Sequence, residues 1–134
     1  VKGKGVDSFD DGSDATEIVK RVAQKLESVV VATGKVDIIT DGKSTYKVNN
    51  GTQKLKGITG TGCMTASLIA SFMACTDNNL QAATMGTLAM SLCGELADKD
   101  NISLGSFKVK LMDNIYTLDI ATLNKYANVD FISQ

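Results

Sequence analysis

Gly57-Ile58-Thr59-Gly60-Thr61-Gly62-Cys63, followed at once by Met64-Thr65-Ala66-Ser67-Leu68-Ile69-Ala70-Ser71-Phe72-Met73, is the stretch on which the reading of this chain turns. Three glycines let the backbone curl tightly, and a helix starts where they stop. The first turn of a helix carries amide N–H groups without intrahelical partners, and the helix dipole adds positive potential there. Such a place binds phosphate. Cys63 falls on that turn, where a thiolate is favoured. A glycine loop can also be no more than a tight turn before a core helix. Here two threonines and a cysteine interleave with the glycines, which favours the anion-binding reading. The spacing is not that of a Walker A loop, because no lysine follows the last glycine, and the glycine order differs from the dinucleotide fingerprint.

Upstream of the loop, residues 1–12 are rich in glycine and aspartate and read as a loop. Ser13 or Asp14 offers an N-cap, with Glu17 at capping-box spacing from Asp14. Ile18, Val19, Val22, Ala23 and Leu26 then follow helical periodicity to about Glu27. Ser28-Val29-Val30-Val31-Ala32 is an unbroken apolar run, which predicts a strand buried on both faces, as in a parallel sheet. Val36–Thr40 and Ser44–Val48 predict two strands of a hairpin around Asp41-Gly42. Downstream, helices are predicted over roughly 63–75 and 80–97. A third is marked by Phe107, Leu111, Ile115 and Tyr116, a fourth by Ile120, Leu123 and Tyr126. Val129–Ile132 predicts a last strand. Helices alternating with short strands make a layered α/β pattern. The central strands are too few for a complete doubly wound sheet, and the chain begins with Val1, so it is read as processed or as part of something longer.

The whole chain sets limits on function. Its 134 residues suit one domain, with 43% hydrophobic and 22% charged residues, as in soluble globular proteins. A net charge of −1 gives no basic footprint for nucleic acid. No apolar run approaches membrane-spanning length, and no signal peptide opens the chain. Cys63, Cys75 and Cys93 lack metal-ligand spacing, so they are read as reduced thiols of a cytoplasmic protein, with Cys75 and Cys93 in the core. Histidine is absent, which removes every Ser-His, Cys-His and His-metal mechanism from this chain.

Three further features bear on the site. Thr33-Gly34 lies at the carboxyl end of a buried strand, the edge where α/β sheets bind ligands, although the pair also suits a plain strand terminator. Cys63 is either a small residue at a helix start or a thiol beside a phosphate. Asp7, Asp10, Asp11 and Asp14 are explained by a solvated loop and a helix cap, and Asp37 and Asp41 by turns. No metal ligand is assigned.

Val29 to Gly42, Asn50-Gly51 and Ile58-Thr59-Gly60-Thr61-Gly62-Cys63-Met64 together resemble the hydroxyethylthiazole kinase family of thiamine biosynthesis. Lys4–Ser8 upstream, and Gly94–Ala97 and Gly105-Ser106-Phe107 downstream, extend the resemblance over nearly the whole chain. Cys63 is its discriminating mark, since most ribokinase-like kinases carry aspartate there. The resemblance implies a ribokinase-like layered fold with a mostly parallel central sheet flanked by helices. It implies that residues 1–134 are one unit, the C-terminal half of the kinase domain. It implies ATP and Mg2+, and phosphorylation of the hydroxyl of 4-methyl-5-(2-hydroxyethyl)thiazole. Gly60, Thr61, Gly62 and Cys63 would then surround the transferring phosphoryl group, with Gly60 also touching the thiazole alcohol. Thr33 and Gly34 would contact ATP, and Gly105 would lie beside the adenine. Members are trimers, so a homotrimer or association with an N-terminal half is implied. The alternatives are another ribokinase-like small-molecule kinase, or a non-catalytic nucleotide-binding or structural fragment.

Overall fold

The computed structural model describes residues 12–133, with side chains from residue 15. Helix α1 (Gly12–Leu26) leads into strand β1 (Val30–Ala32). Strands β2 (Asp37–Thr40) and β3 (Ser44–Val48) follow. A 3-10 turn (Gln53–Gly57) then precedes helices α2 (Thr61–Met73), α3 (Asn79–Ala97), α4 (Leu104–Thr117) and α5 (Ile120–Tyr126), and strand β4 (Val129–Ser133) closes the described chain. The acidic cluster at Asp7, Asp10, Asp11 and Asp14, the caps at Ser13 or Asp14, and Lys4–Ser8 lie outside the residues or side chains described. No helix among the described residues is long and apolar enough to cross a membrane.

The four strands form one sheet in the order β1-β2-β3-β4. Every pairing in it is antiparallel, with Val31 opposite Ile39, Ile39 opposite Tyr46 and Tyr46 opposite Phe131. The expected mostly parallel sheet is therefore not what the described residues form. Only Thr33–Val36 separate β1 from β2, far too few for the crossover that parallel neighbours need. The apolar run at β1 was nevertheless a true sign of cover on both faces. Val30 and Ala32 pack with Ala15 and Val19 of α1 and with Ile38. Val29 and Val31 pack on the opposite side with Ile39, Val48 and the α3 residues Ala83, Leu88 and Leu92. The sheet is thus flanked by α1 and α3, as expected of an α/β layering. At the edge, β1 remains only half-buried.

Helix α3 is the central element. Its small residues allow close approach: a Cβ on Gly86 would come within 2.5 Å of the Ile69 backbone nitrogen in α2. A second cluster, with Phe107 and Leu111 of α4 around Cys93 and Met90 of α3, fills the other flank of the helix. Asp41 has the turn role read for it: its Oδ1 accepts the Lys43 and Ser44 amides, and Gly42 takes a φ of 89°. Cys93 is fully buried, but Cys75 is exposed, so its core assignment is corrected. It falls just past the end of α2, after the C-cap Ala74.

Candidate functional site

The helix after the glycine stretch starts two residues earlier than the spacing predicts, at Thr61. Gly60 is the N-cap of α2, with a left-handed φ of 96° and no side-chain cap bond. Such a φ favours glycine strongly. Met64 N–H donates to the Gly60 carbonyl at 2.9 Å, which is the first intrahelical bond. The amides of Thr61, Gly62 and Cys63 precede it and have no intrahelical acceptor. A Cβ at Gly60 or Gly62 would meet nothing within 4 Å. Gly62 has an ordinary backbone in the first helical turn, where glycine is a poor helix former. Neither turn geometry nor packing asks for glycine there; space beside bare amides does.

That helix start opens on a cleft of about 570 Å³. Thr33 and Gly34, from the β1–β2 turn, line the cleft together with Thr61 and Gly62. Two predicted site segments, far apart in sequence, thus share one cavity. Thr61 lines it but spends its hydroxyl on the turn below, donating toward the Leu55 and Ile58 carbonyls at 3.2 and 3.3 Å. Cys63 is exposed on the first turn of α2, and it is not part of the cleft wall. Gly105 is not brought to the cleft either: it is the second residue of α4, exposed, next to Leu104, which packs over Gly57.

Asp37, explained from the sequence as a turn residue, has a different place in the structure. This residue opens β2, on the same side of the strand as Ile39, and is only 5% exposed. Its Oδ2 accepts the Ser91 hydroxyl of α3 at 2.6 Å, and its Oδ1 accepts the Gly34 amide at 2.9 Å. Burial holds its carboxyl above the usual carboxylate value, against the lowering effect of those two bonds. Asp37 and Ser91 both line the cleft. An acidic residue inside a strand that is apolar on both faces is the signal that could have flagged it.

The other wall, the loop after β3, is held from α3 and its end. Asn50 is 4% exposed; its amide donates to Glu95 and to the Tyr126 carbonyl, and its oxygen accepts the Asn128 amide at 2.7 Å. Gly51 N–H also donates to Glu95. Thr52 and Lys54 bond to Asp98, and Lys54 reaches the Ile102 carbonyl as well. Among the described residues no three His, Cys, Asp or Glu side chains gather to hold a metal ion.

Fold and site together define an α/β protein with a bare helix N-terminus facing a bonded β-turn across an open cleft. Comparison with known proteins specifies it further. A sequence profile of the hydroxyethylthiazole kinase family matches residues 1–121. The hydroxyethylthiazole kinase of Clostridioides difficile is 66% identical over 133 residues, 99% of this chain and 51% of that protein. That of Alkaliphilus oremlandii is 46% identical over 96% of this chain and 49% of its own length. The solved structure of the hydroxyethylthiazole kinase protein from Pyrococcus horikoshii superposes with a TM-score of 0.84 at 34% identity, over 90% of this chain and 47% of that one. The chain belongs to the hydroxyethylthiazole kinase family, and it spans about half the length of the relatives it matches.

Proposed function

We propose that this chain is the C-terminal half of a hydroxyethylthiazole kinase of ribokinase-like layering, which phosphorylates the hydroxyl of 4-methyl-5-(2-hydroxyethyl)thiazole for thiamine biosynthesis. The observation that carries this reading is the 66% identity over 133 residues to a kinase of that name. ATP, when bound, supplies the γ-phosphoryl group. Phosphoryl transfer asks a protein mainly for positioning and for stabilisation of charge on the phosphoryl oxygens. The bare amides of Thr61, Gly62 and Cys63 are suited to accept those oxygens, aided by the helix dipole. Gly60 and Gly62 leave the room a tetrahedral group needs there. Gly60 is also assigned to the thiazole alcohol, and Cys63 to orienting that hydroxyl or taking its proton.

Thr33 faces the same cleft and is assigned to ATP. Gly34 belongs to that wall without donating its amide, which Asp37 already holds. Gly105, assigned beside the adenine, lies off the cleft wall. Among the described residues no three acidic groups converge on a magnesium site. Three free thiols fit a reducing, cytoplasmic setting. Exposed Tyr116, Ile120, Val109 and Leu26 support association, as a homotrimer or with an N-terminal half.

The test is an assay of the complete gene product with ATP, magnesium and the thiazole alcohol. Phosphorylated thiazole is the expected product. Full activity on pyrimidine or sugar alcohols with none on the thiazole would overturn the assignment in favour of another small-molecule kinase.

A further inference from the structure

We propose that Asp37 and Ser91 are positioning residues that fix the Thr33–Gly34 turn for nucleotide binding; the inference rests on the kinase reading above. Asp37 links the β1–β2 turn to α3. Its carboxylate takes the Ser91 hydroxyl at 2.6 Å and the Gly34 amide at 2.9 Å. Ser91 is 54 residues away in sequence, on the helix that also anchors the opposite loop through Glu95. The turn that presents Thr33 is therefore referenced to the same rigid helix as the far wall of the cleft.

Stability alone is a poor reason for this arrangement. A buried acid is costly to ionise, and an apolar residue at an inward strand position generally serves the fold as well or better. Every other β2 position is buried and lacks charge. Gly34 strengthens the point. Its φ is not left-handed and its site is roomy, the nearest contact of a Cβ being the Val36 carbonyl at 3.4 Å. No ligand can use the Gly34 N–H while Asp37 holds it. The contribution of the pair is thus the direction in which Thr33 is shown to the cleft.

Steady-state kinetics on the complete gene product test this, with ATP and alcohol varied separately. Asp37→Ala and Ser91→Ala should each raise KM for ATP about tenfold, the scale of a lost bond to a charged group. KM for the alcohol should stay within about twofold of wild type. The double variant should be no worse than Asp37→Ala, because the two act as one unit. Asp37→Asn, which can still accept from Gly34, should recover part of the loss. A lowered melting temperature with unchanged KM for ATP, or an equal rise in both KM values, overturns the proposal. If Asp37→Ala does not fold, Ser91→Ala decides on the same split. A wild type that does not phosphorylate the thiazole defeats the kinase reading instead. Calorimetry with magnesium ATP then compares wild type with Ser91→Ala. Equal affinity, or no binding by wild type, overturns the proposal, and about tenfold weaker binding by the variant upholds it.

Discussion

The two walls of the cleft are built in opposite ways. On the α2 side, the first-turn amides are left without intrahelical acceptors, Gly60 offers no capping side chain, and Gly60 and Gly62 have empty space where side chains would be. On the side of β1–β2 and the loop after β3, several polar groups are already paired. Gly34, Asn50, Gly51, Thr52 and Lys54 each have a partner, supplied in most cases by α3 or its end. The difference teaches which donors wait for a ligand and which belong to the frame that holds the cleft. Donors that water alone satisfies can be given to phosphate oxygens at little cost; donors already paired cannot. Frame and ligand surface can therefore be told apart by where hydrogen bonds are missing.

The sharpest way to break this comparison is to fill the empty wall. Gly62→Val should lower kcat about 100-fold or more, the scale of losing an oxyanion donor, as should Gly60→Val, where the positive φ adds strain. Wild-type rates in both variants would remove the phosphate role from α2. A pair of alanine substitutions separates function from folding. Gly86→Ala should destabilise the protein by about 1–3 kcal/mol, since its Cβ runs into the α2 backbone. Gly62→Ala meets no neighbour and should stabilise the helix by about 0.5–1 kcal/mol while lowering turnover. Denaturant midpoints and rates measured on both proteins check this; a stable, fully active Gly62→Ala would say the space is not used.

The bonded wall has its own test in the pH dependence of stability. Burial raises the Asp37 carboxyl above its unfolded value. The folded state thus prefers the protonated form, and that contribution is complete below the ordinary carboxylate value. It is lost as pH rises through the raised value in the folded protein. Asp37→Asn removes the effect, so its stability relative to wild type should improve across that window and then level off. Denaturation series at several pH values would detect it; a flat difference would mean that Asp37 titrates as an ordinary carboxylate. The smallest effect concerns the thiols. Burial pushes the Cys93 thiol up to about 11, while Cys63 and Cys75 are exposed. A mild alkylating reagent at neutral pH should label Cys63 and Cys75 and spare Cys93. Magnesium ATP should slow labelling at Cys63 and leave Cys75 unchanged, as read by peptide mass mapping.

Much of this was legible in the residues. The Asp41-Gly42 hairpin, the helical spacing from Leu80 to Ala97 and the glycine stretch before α2 each carry a local signal, and each is present. The family could be read as well, from Cys63 within the glycine loop and the spacing around it. The direction of the sheet was misread because an apolar run reports cover on two faces without reporting how its strands pair. The four-residue gap between β1 and β2 held the correction. Asp37 was read as a turn residue because, in sequence, it looks like Asp41. One caps a surface turn; the other meets a helix residue 54 positions away.

The sequence by itself determined the local elements, the bare helix start and membership of the family, because these depend on short-range spacing and backbone freedom. Tertiary structure alone decided that Thr33 and Gly34 share a cleft with Thr61 and Gly62, that Gly105 stands apart from it, and that Ser91 holds Asp37. Those facts depend on how α3 packs between the sheet and α2, and no local pattern encodes which of its faces meets which loop.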